Sequence, residues 1–427
     1  MDRDTIFEMG TSNLRFGTGS TREVGMDLAD LGIKRVMIMT DPNIRDLAPV
    51  QIAREAIAAE GIETVIYDTV RVEPTDHSFK EAIVAAKEEK PDAFVAIGGG
   101  SVIDTAKAAN LYYSHPDDFL AYINAPIGKG KPCPGPVKPL IAIPTTAGTG
   151  SETTGVAICD LIEIHAKTGI AHRRLKPTLG IVDPDNTRTM PAAVAAGSGL
   201  DVLCHALESY TAIPFDQRPR PDRPVLRPAY QGSNPISDIW ALEAARKVST
   251  YLVRAVQNPD DDEARSQMAL AASMAGMGFG SAGVHLCHGM SYPVSGMVRD
   301  YIPEGFVSDH AIIPHGLSVT LHAPAVFAFT GPANPDRHLK AAEIMGADIS
   351  EIKNPAEEAG PLLSQQIVNL MKKLEMPNGL SSLGFTDDDI PSLVEGTLPQ
   401  HRVTKLSPIP ADADHLTDLF KNSMTLW

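Results

Sequence analysis

Two hydrophobic periods divide the chain. Up to about residue 190, short β-branched and apolar runs alternate with stretches whose apolar positions recur at helical spacing, the pattern of parallel βαβ units. Residues 36–41 read as a strand that ends on an acid, Asp41, and residues 44–60 carry a helical period. A second strand follows at 64–67 and a second helix at 76–89, with Pro91 as its terminator. Residues 93–97 form an unbroken apolar run, as a strand buried on both faces requires. After a Pro/Gly/Lys-rich linker at 126–139, further strands are expected at 140–143 and 179–184. From Pro191 onward strand-like runs nearly vanish and helical periods dominate, with amphipathic helices from 354 to the end of the sequence. The expected organisation is therefore an α/β domain with a parallel sheet over 1–190 and an all-α domain over 191–427.

Candidate chemistry gathers where these elements join. The strand at 93–97 runs into Gly98-Gly-Gly-Ser-Val-Ile-Asp104, and three glycines at the carboxyl end of a strand allow a tight turn and close approach of a ligand. Ser101 and Asp104 have capping-box spacing at the mouth of the next helix, whose N-terminal N–H groups and dipole favour an anion. This is not a G-x-G-x-x-G fingerprint, so a purely structural turn stands as the alternative. Asp41, at a strand end, is placed to accept from a ribose hydroxyl, or is a solvated turn acid before Pro42. Residues 144–152 put hydroxyls and glycines, including Thr145 and Thr146, at another strand terminus.

In the helical half, Asp201 and His205 stand four residues apart, so on a helix carboxylate and imidazole converge on one point. Two ligands do not close a metal site, and His288 before Gly289 and His315 before Gly316 are candidates for the rest. His285 and His310 lie close enough in sequence to compete for the same roles. Residues 211–235 break the helical pattern with six prolines and four arginines, a loop too long to be a mere connection.

Composition narrows the picture. A chain of 427 residues, 43% hydrophobic and 21% charged, can fill two cores, and disorder is not expected. A net charge of −16 argues against nucleic acid or an anionic membrane as partner, and it obliges an anionic substrate to find a local cation. Four cysteines without C-x-x-C spacing suggest no disulfide framework. The start has neither signal core nor transit-peptide character, which points to the cytoplasm, or to an organellar matrix if a leader has been removed. Residues 271–298 carry no charged residue, yet their glycines, Ser281, His285 and His288 dilute the apolarity, so a buried helix wall followed by a loop is expected instead of a membrane span.

With Asp201, His205 and Glu208 in G-x-D-x-x-x-H-A-x-E, His288 in H-G-M and His315 in P-H-G, the sequence resembles the iron-containing alcohol dehydrogenase family over nearly its whole length. Within that family, residues 201–238 and the run from His288 to Pro293 are most similar to hydroxyacid-oxoacid transhydrogenases. The resemblance implies the dehydroquinate synthase-like architecture and metal ligands Asp201, His205, His288 and His315, with His285 and His310 in supporting roles. Three imidazoles and a carboxylate suit Fe2+ or Zn2+, and iron is the family's usual metal. The same resemblance makes Gly99, Gly100, Ser101 and Asp104 the pyrophosphate turn of an NAD site. It puts Asp41 on the ribose, Thr145 and Thr146 on the nicotinamide half, and Lys167 near the cofactor ribose, against the alternative of a hairpin-tip lysine. The implied activity is hydride transfer between a hydroxyacid such as 4-hydroxybutyrate and an oxoacid such as 2-oxoglutarate through bound NAD. An NAD-dependent alcohol or diol dehydrogenase releasing NADH is the alternative, and a metal-dependent binding protein a third reading. A homodimer or higher homo-oligomer is the expected assembly. Two features depart from the family pattern: Tyr292 occupies the place of a second histidine, and the segment between His288 and His315, with Arg299, Asp300, Glu304 and Asp309, is long. For the substrate carboxylate, Arg227 and Arg299 are the expected partners, with Arg218, Arg220 and Arg223 assigned to loop surface or subunit contact.

Overall fold

In the computed structural model, which describes residues 3–164, 166–304, 306, 308 and 310–427, residues 10–190 form one unit. Its strands are β1 (Asn13–Phe16), β2 (Arg35–Met39), β3 (Glu63–Tyr67), β4 (Ala93–Gly98), β5 (Leu140–Pro144), β6 (Val156–Leu161), β7 (Ala166–Ala171) and β8 (Leu179–Val182). Six of them make a wholly parallel sheet in the order β1-β8-β5-β4-β2-β3, while β6 and β7 pair as an antiparallel hairpin. The helices are α1 (Val24–Asp30), α2 (Ala48–Ala59), α3 (Asp76–Glu89), α4 (Gly100–Ser114) and α5 (Phe119–Tyr122).

Alternation along each strand explains the unbroken apolar runs. Val36, Ile38, Val95 and Ile97 face Val24 and Leu28 of α1 and Val50 and Ile57 of α2. Their neighbours Met37, Met39, Phe94 and Ala96 face Ala82 and Ala86 of α3 and Val102, Ile103 and Ala106 of α4 on the other side. Since α2 follows β2 onto one face and α4 follows β4 onto the other, the adjacent carboxyl ends of β2 and β4 form a topological switch point, where α/β sheets bind ligands.

The second unit holds residues 191–427 and, against the expected 1–190 partition, residues 3–9 as well. The physical reason is a set of polar ties: Arg227 Nε donates to Asp4 Oδ2 at 3.0 Å, Arg218 Nη2 lies 2.7 Å from the same oxygen, and Glu8 N donates to Gln231 Oε1 at 2.8 Å. This unit is helical: α6 (Ala192–Thr211), α7 (Pro235–Gln257), α8 (Asp262–Ala282), α9 (Leu286–Gly296), α10 (His315–Thr320) and α11 (Ala323–Thr330) come first. They are followed by α12 (Pro335–Ile344), α13 (Pro355–Lys373), α14 (Ile390–Thr397), α15 (His401–Thr404) and α16 (Ala413–Met424).

Among the described residues no single helix is long and apolar enough to cross a membrane. The charge-free stretch 271–298 is α8 and α9, bent by 103° and largely buried, so the expected terminal loop is a second helix. Gly283 makes the bend: its φ is +92°, and a Cβ there would fall 2.3 Å from Leu406 Cδ1.

Candidate metal centre and nucleotide turn

Helix α6 presents Asp201 and His205 one turn apart, both buried, with His205 Nδ1 3.8 Å from Asp201 Oδ2. Helix α9, turned inward at Gly283, brings His288 Nε2 to 3.6 Å from Asp201 Oδ1 and stacks its ring on His205 at 4.6 Å. His315 opens α10, and its ring centroid is 5.4 Å from that of His288. Gly316 makes that approach necessary to the sequence: a Cβ there would lie 2.2 Å from Gly197 O and 2.9 Å from Asp201 Cβ. Asp201, His288 and His315 each offer a ligand atom within 4.8 Å of the others, and His205 joins the cluster through Asp201 and His288, its far face stacked 4.0 Å on Phe279.

The donor set fits a divalent cation. Among the described residues, His205 Nδ1 and His288 Nε2 are buried without a hydrogen-bond partner, a costly arrangement that a cation relieves. Burial, followed by the neighbouring His288 and His315, holds His205 far below the usual histidine range and therefore neutral, the ligating form.

Glu208, one turn beyond His205 and wholly buried, organises the other side. Its Oε2 receives His288 Nδ1, and its Oε1 accepts from the backbone N–H of His285 at 2.9 Å and of Cys287 at 2.8 Å. Burial pushes the His288 imidazole down, but the Glu208 carboxylate outweighs it and leaves the pKa raised. For Glu208, burial acts upward and the charges of His288 and His285 more than offset it, leaving the carboxyl below its usual range. Such a carboxylate–histidine pair fixes which imidazole nitrogen faces a metal. No sequence expectation gave Glu208 this role, although it closes the motif that carries Asp201.

His285 is fully buried in a separate contact, Nε2 to Thr211 Oγ1 at 3.0 Å, with burial taking its pKa down to about 4. His310 contacts Ser308, and Asp309 lies outside the described residues.

In the α/β unit, Gly99 N-caps α4 without any side-chain cap, so the helix N-terminus at the switch point is left for an anion. A Cβ on Gly99 would meet Thr146 at 3.4 Å and one on Gly100 would meet Thr149 Cγ2 at 2.5 Å, so the β5 loop sits directly against the glycine turn. The capping box is not formed, which corrects the expectation. Ser101 Oγ accepts from Glu73 N at 3.2 Å, while Asp104 turns inward to Ser151 Oγ at 2.5 Å, Ile158 N at 2.9 Å and the buried Lys107 at 3.6 Å. Asp104 thus joins α4 to the hairpin strand β6.

Lys167 lies on β7, buried, 2.6 Å from Glu73 Oε2 and 3.4 Å from Asp160 Oδ2, and not at a hairpin tip. Asp41 accepts from Asn43 N at 2.9 Å and is largely buried, which raises its pKa. Thr145 N donates to Gly98 O at 3.1 Å, tying the two loops together. If Asp41 also meets a ribose, Asp41→Ala narrows the preference for NAD over NADP, read as the ratio of the two kcat/KM values. An unchanged ratio would leave Asp41 with its turn alone.

The expected carboxylate partners are engaged elsewhere. Arg227 gives its fork to Asp4, and Arg299 donates to Gly384 O at 2.9 Å and pairs with Asp389, so each cation is already matched by a carboxylate. Arg220 and Arg223 are exposed.

Comparison with known proteins gives two family matches, "Iron-containing alcohol dehydrogenase" over residues 11–184 and "Fe-containing alcohol dehydrogenase family, C-terminal" over 229–424. The chain is similar to "Hydroxyacid-oxoacid transhydrogenase, mitochondrial" of Bos taurus, 58% identical over 426 residues, covering 99% of this chain and 91% of that one. Among solved structures it is similar to a 1,3-propanediol oxidoreductase (TM-score 0.85, 26% identity, covering 98% of this chain and 100% of that one). It is also similar to a sulfoacetaldehyde reductase from Bifidobacterium kashiwanohense in complex with NAD+ (TM-score 0.78, 25% identity, covering 99% and 100%).

Proposed function

The chain belongs to the iron-containing alcohol dehydrogenase family, and from that premise we propose that it is a hydroxyacid-oxoacid transhydrogenase. It moves a hydride from a hydroxyacid such as 4-hydroxybutyrate to an oxoacid such as 2-oxoglutarate. The observation that carries the reading is the identity of 58% over 99% of the chain to a protein of that name. The cluster of buried Asp201, His205 and His288 with the half-buried His315 supports it.

Those four residues would hold the metal, with iron as the ion the family name implies. When bound, the cation draws charge from the substrate oxygen and NAD accepts and returns the hydride. The chain's own residues prepare that chemistry. Glu208 keeps the proton of His288 on Nδ1 and its Nε2 free, and burial keeps His205 neutral. Tyr292, one turn after His288, accepts a hydrogen bond from Arg402 Nη2 at 2.9 Å, which leaves its own hydroxyl proton available to donate. On the α/β unit, Gly99, Gly100 and Ser101 would take the pyrophosphate, Asp41 the ribose, and Thr145 and Thr146 the nicotinamide half. Lys167 would act beside the cofactor ribose with its charge shared by Glu73 and Asp160. In place of the cytoplasm, an organellar matrix is the compartment this reading favours, since the relative named above is called mitochondrial.

The test is turnover of 4-hydroxybutyrate plus 2-oxoglutarate by purified, metal-loaded protein without added NAD. Product far beyond one equivalent per protein is expected. Stalling within one equivalent, with turnover restored only by continuous supply of NAD, would establish the simple alcohol dehydrogenase instead.

A further inference from the structure

The acids this reading requires need a cation near the metal cluster, in a protein of net charge −16 whose expected arginines are occupied. We infer that Arg402, on α15, is the residue that binds the substrate carboxylate, next to Tyr292 on α9. The inference rests on the hydroxyacid-oxoacid reading.

Arg402 differs from the other arginines of the helical unit named above. Its Nη2 donates to Tyr292 Oη at 2.9 Å and its guanidinium carbon lies 5.0 Å from the Tyr230 ring centroid, so the fork is held in orientation. Its Nη1, like that of Arg218, is buried with no hydrogen-bond partner, but Arg218 has Asp4 beside it, whereas among the described residues no carboxylate pairs with Arg402. A guanidinium desolvated in this way is costly unless an anion completes it, and it presents a planar N–H pair to a carboxylate. Position agrees. Tyr292 is four residues after His288 and so lies on the same face of α9, and Arg402 reaches that face through its 2.9 Å bond to Tyr292 Oη.

Substrate chemistry supplies an independent reason for a single fixed cation. In 4-hydroxybutyrate, two methylenes separate the hydroxyl-bearing carbon from the carboxylate. In 2-oxoglutarate, two methylenes separate the keto carbon from the distal carboxylate. One arginine at one distance from the metal can therefore hold both partners of the exchange with their reacting carbons in the same place, as a shared site requires.

The experiment compares wild type, Arg402→Leu and Arg402→Lys as metal-loaded holoenzymes. KM and kcat are measured for 4-hydroxybutyrate and the neutral 1-butanol with acetaldehyde as the hydride acceptor, and for 2-oxoglutarate with 1-butanol as the donor, and thermal melts are run with and without the unreactive dicarboxylate glutarate. Loss of a charged hydrogen bond predicts that KM for both acids rises by roughly 10- to 150-fold, with the effect on 1-butanol at least tenfold smaller. The upward Tm shift that glutarate gives the wild type should disappear in both variants. If the Leu variant does not fold, the Lys variant decides, because an ammonium cannot copy the two-point contact. Equal losses for acids and butanol, or a glutarate shift retained by the variants, would overturn the assignment. A wild type that oxidises 1-butanol but turns over neither acid would overturn the transhydrogenase reading and this inference with it. That outcome is distinct from a wild type active on acids with indifferent Arg402 variants.

Discussion

Replacing His288 with Ala is expected to yield protein that purifies without stoichiometric metal and turns over at least about 10³-fold more slowly, since a bound cation supplies several kcal/mol of charge stabilisation. The same result is expected for His205→Ala and His315→Ala. In each, the remaining donors still include Asp201 but can no longer enclose an ion while fixing its open position. His285→Ala is the contrast. That ring bonds Thr211 through Nε2 at 3.0 Å, so the variant should lose stability and keep its metal. Elemental analysis of the four purified variants checks this directly. A metal-free His285→Ala beside a fully loaded His288→Ala would show the ligand set to be wrong.

The second large effect belongs to Glu208, because one buried carboxylate satisfies two backbone N–H groups at 2.8–2.9 Å and the ring of His288. Glu208→Ala strands those donors and is expected to cost about 3–5 kcal/mol, read as a fall in Tm of the metal-free protein. Glu208→Gln keeps the volume but turns an N–H toward His288 Nδ1, which drives the imidazole proton to Nε2 and masks the ligand atom. Metal affinity should then fall by about 10- to 100-fold with little change in fold. Wild-type affinity in the Gln variant would show that the carboxylate does not set the tautomer. The acid limb follows from the same group. Its folded pKa lies below the ordinary value of 4.5, so its contribution to stability is present above that value and is lost as the pH falls through the folded one.

What could be read from the sequence was what is local. The helix at Asp76–Glu89 and the strand at Ala93–Gly98 follow from runs whose period and terminators lie within a few residues. The strand at Asn13–Phe16 leaves no such signal, because four half-exposed residues at a sheet edge carry almost no period. In the cluster of Asp201, His205, His288 and His315, the helix spacing and the two histidine–glycine pairs are legible because helix geometry and close packing are encoded by neighbours. The arginine assignments failed for the opposite reason. Arg227 is taken by Asp4, 223 residues away, and Arg299 by Asp389, 90 residues away, and no local pattern announces such partners. Arg402 is silent in the sequence, a lone arginine in an amphipathic tail with no motif around it. Only the fold sets it beside Tyr292, 110 residues earlier.

The attachment of residues 3–9 to the helical unit bears on how the protein is made. At a synthesis rate of about 5–20 residues per second, Asp4 precedes Arg227 by roughly 10–45 s, a delay set by the 223 residues between them. During that interval the α/β unit, residues 10–190, has all its strands and can fold, while the leading segment has no partner and waits as an unpaired acid. Its docking onto the helical unit comes only after translation has passed the middle of the chain. A ribosome-tethered nascent chain should therefore keep this segment open to proteases long after the parallel sheet has become resistant.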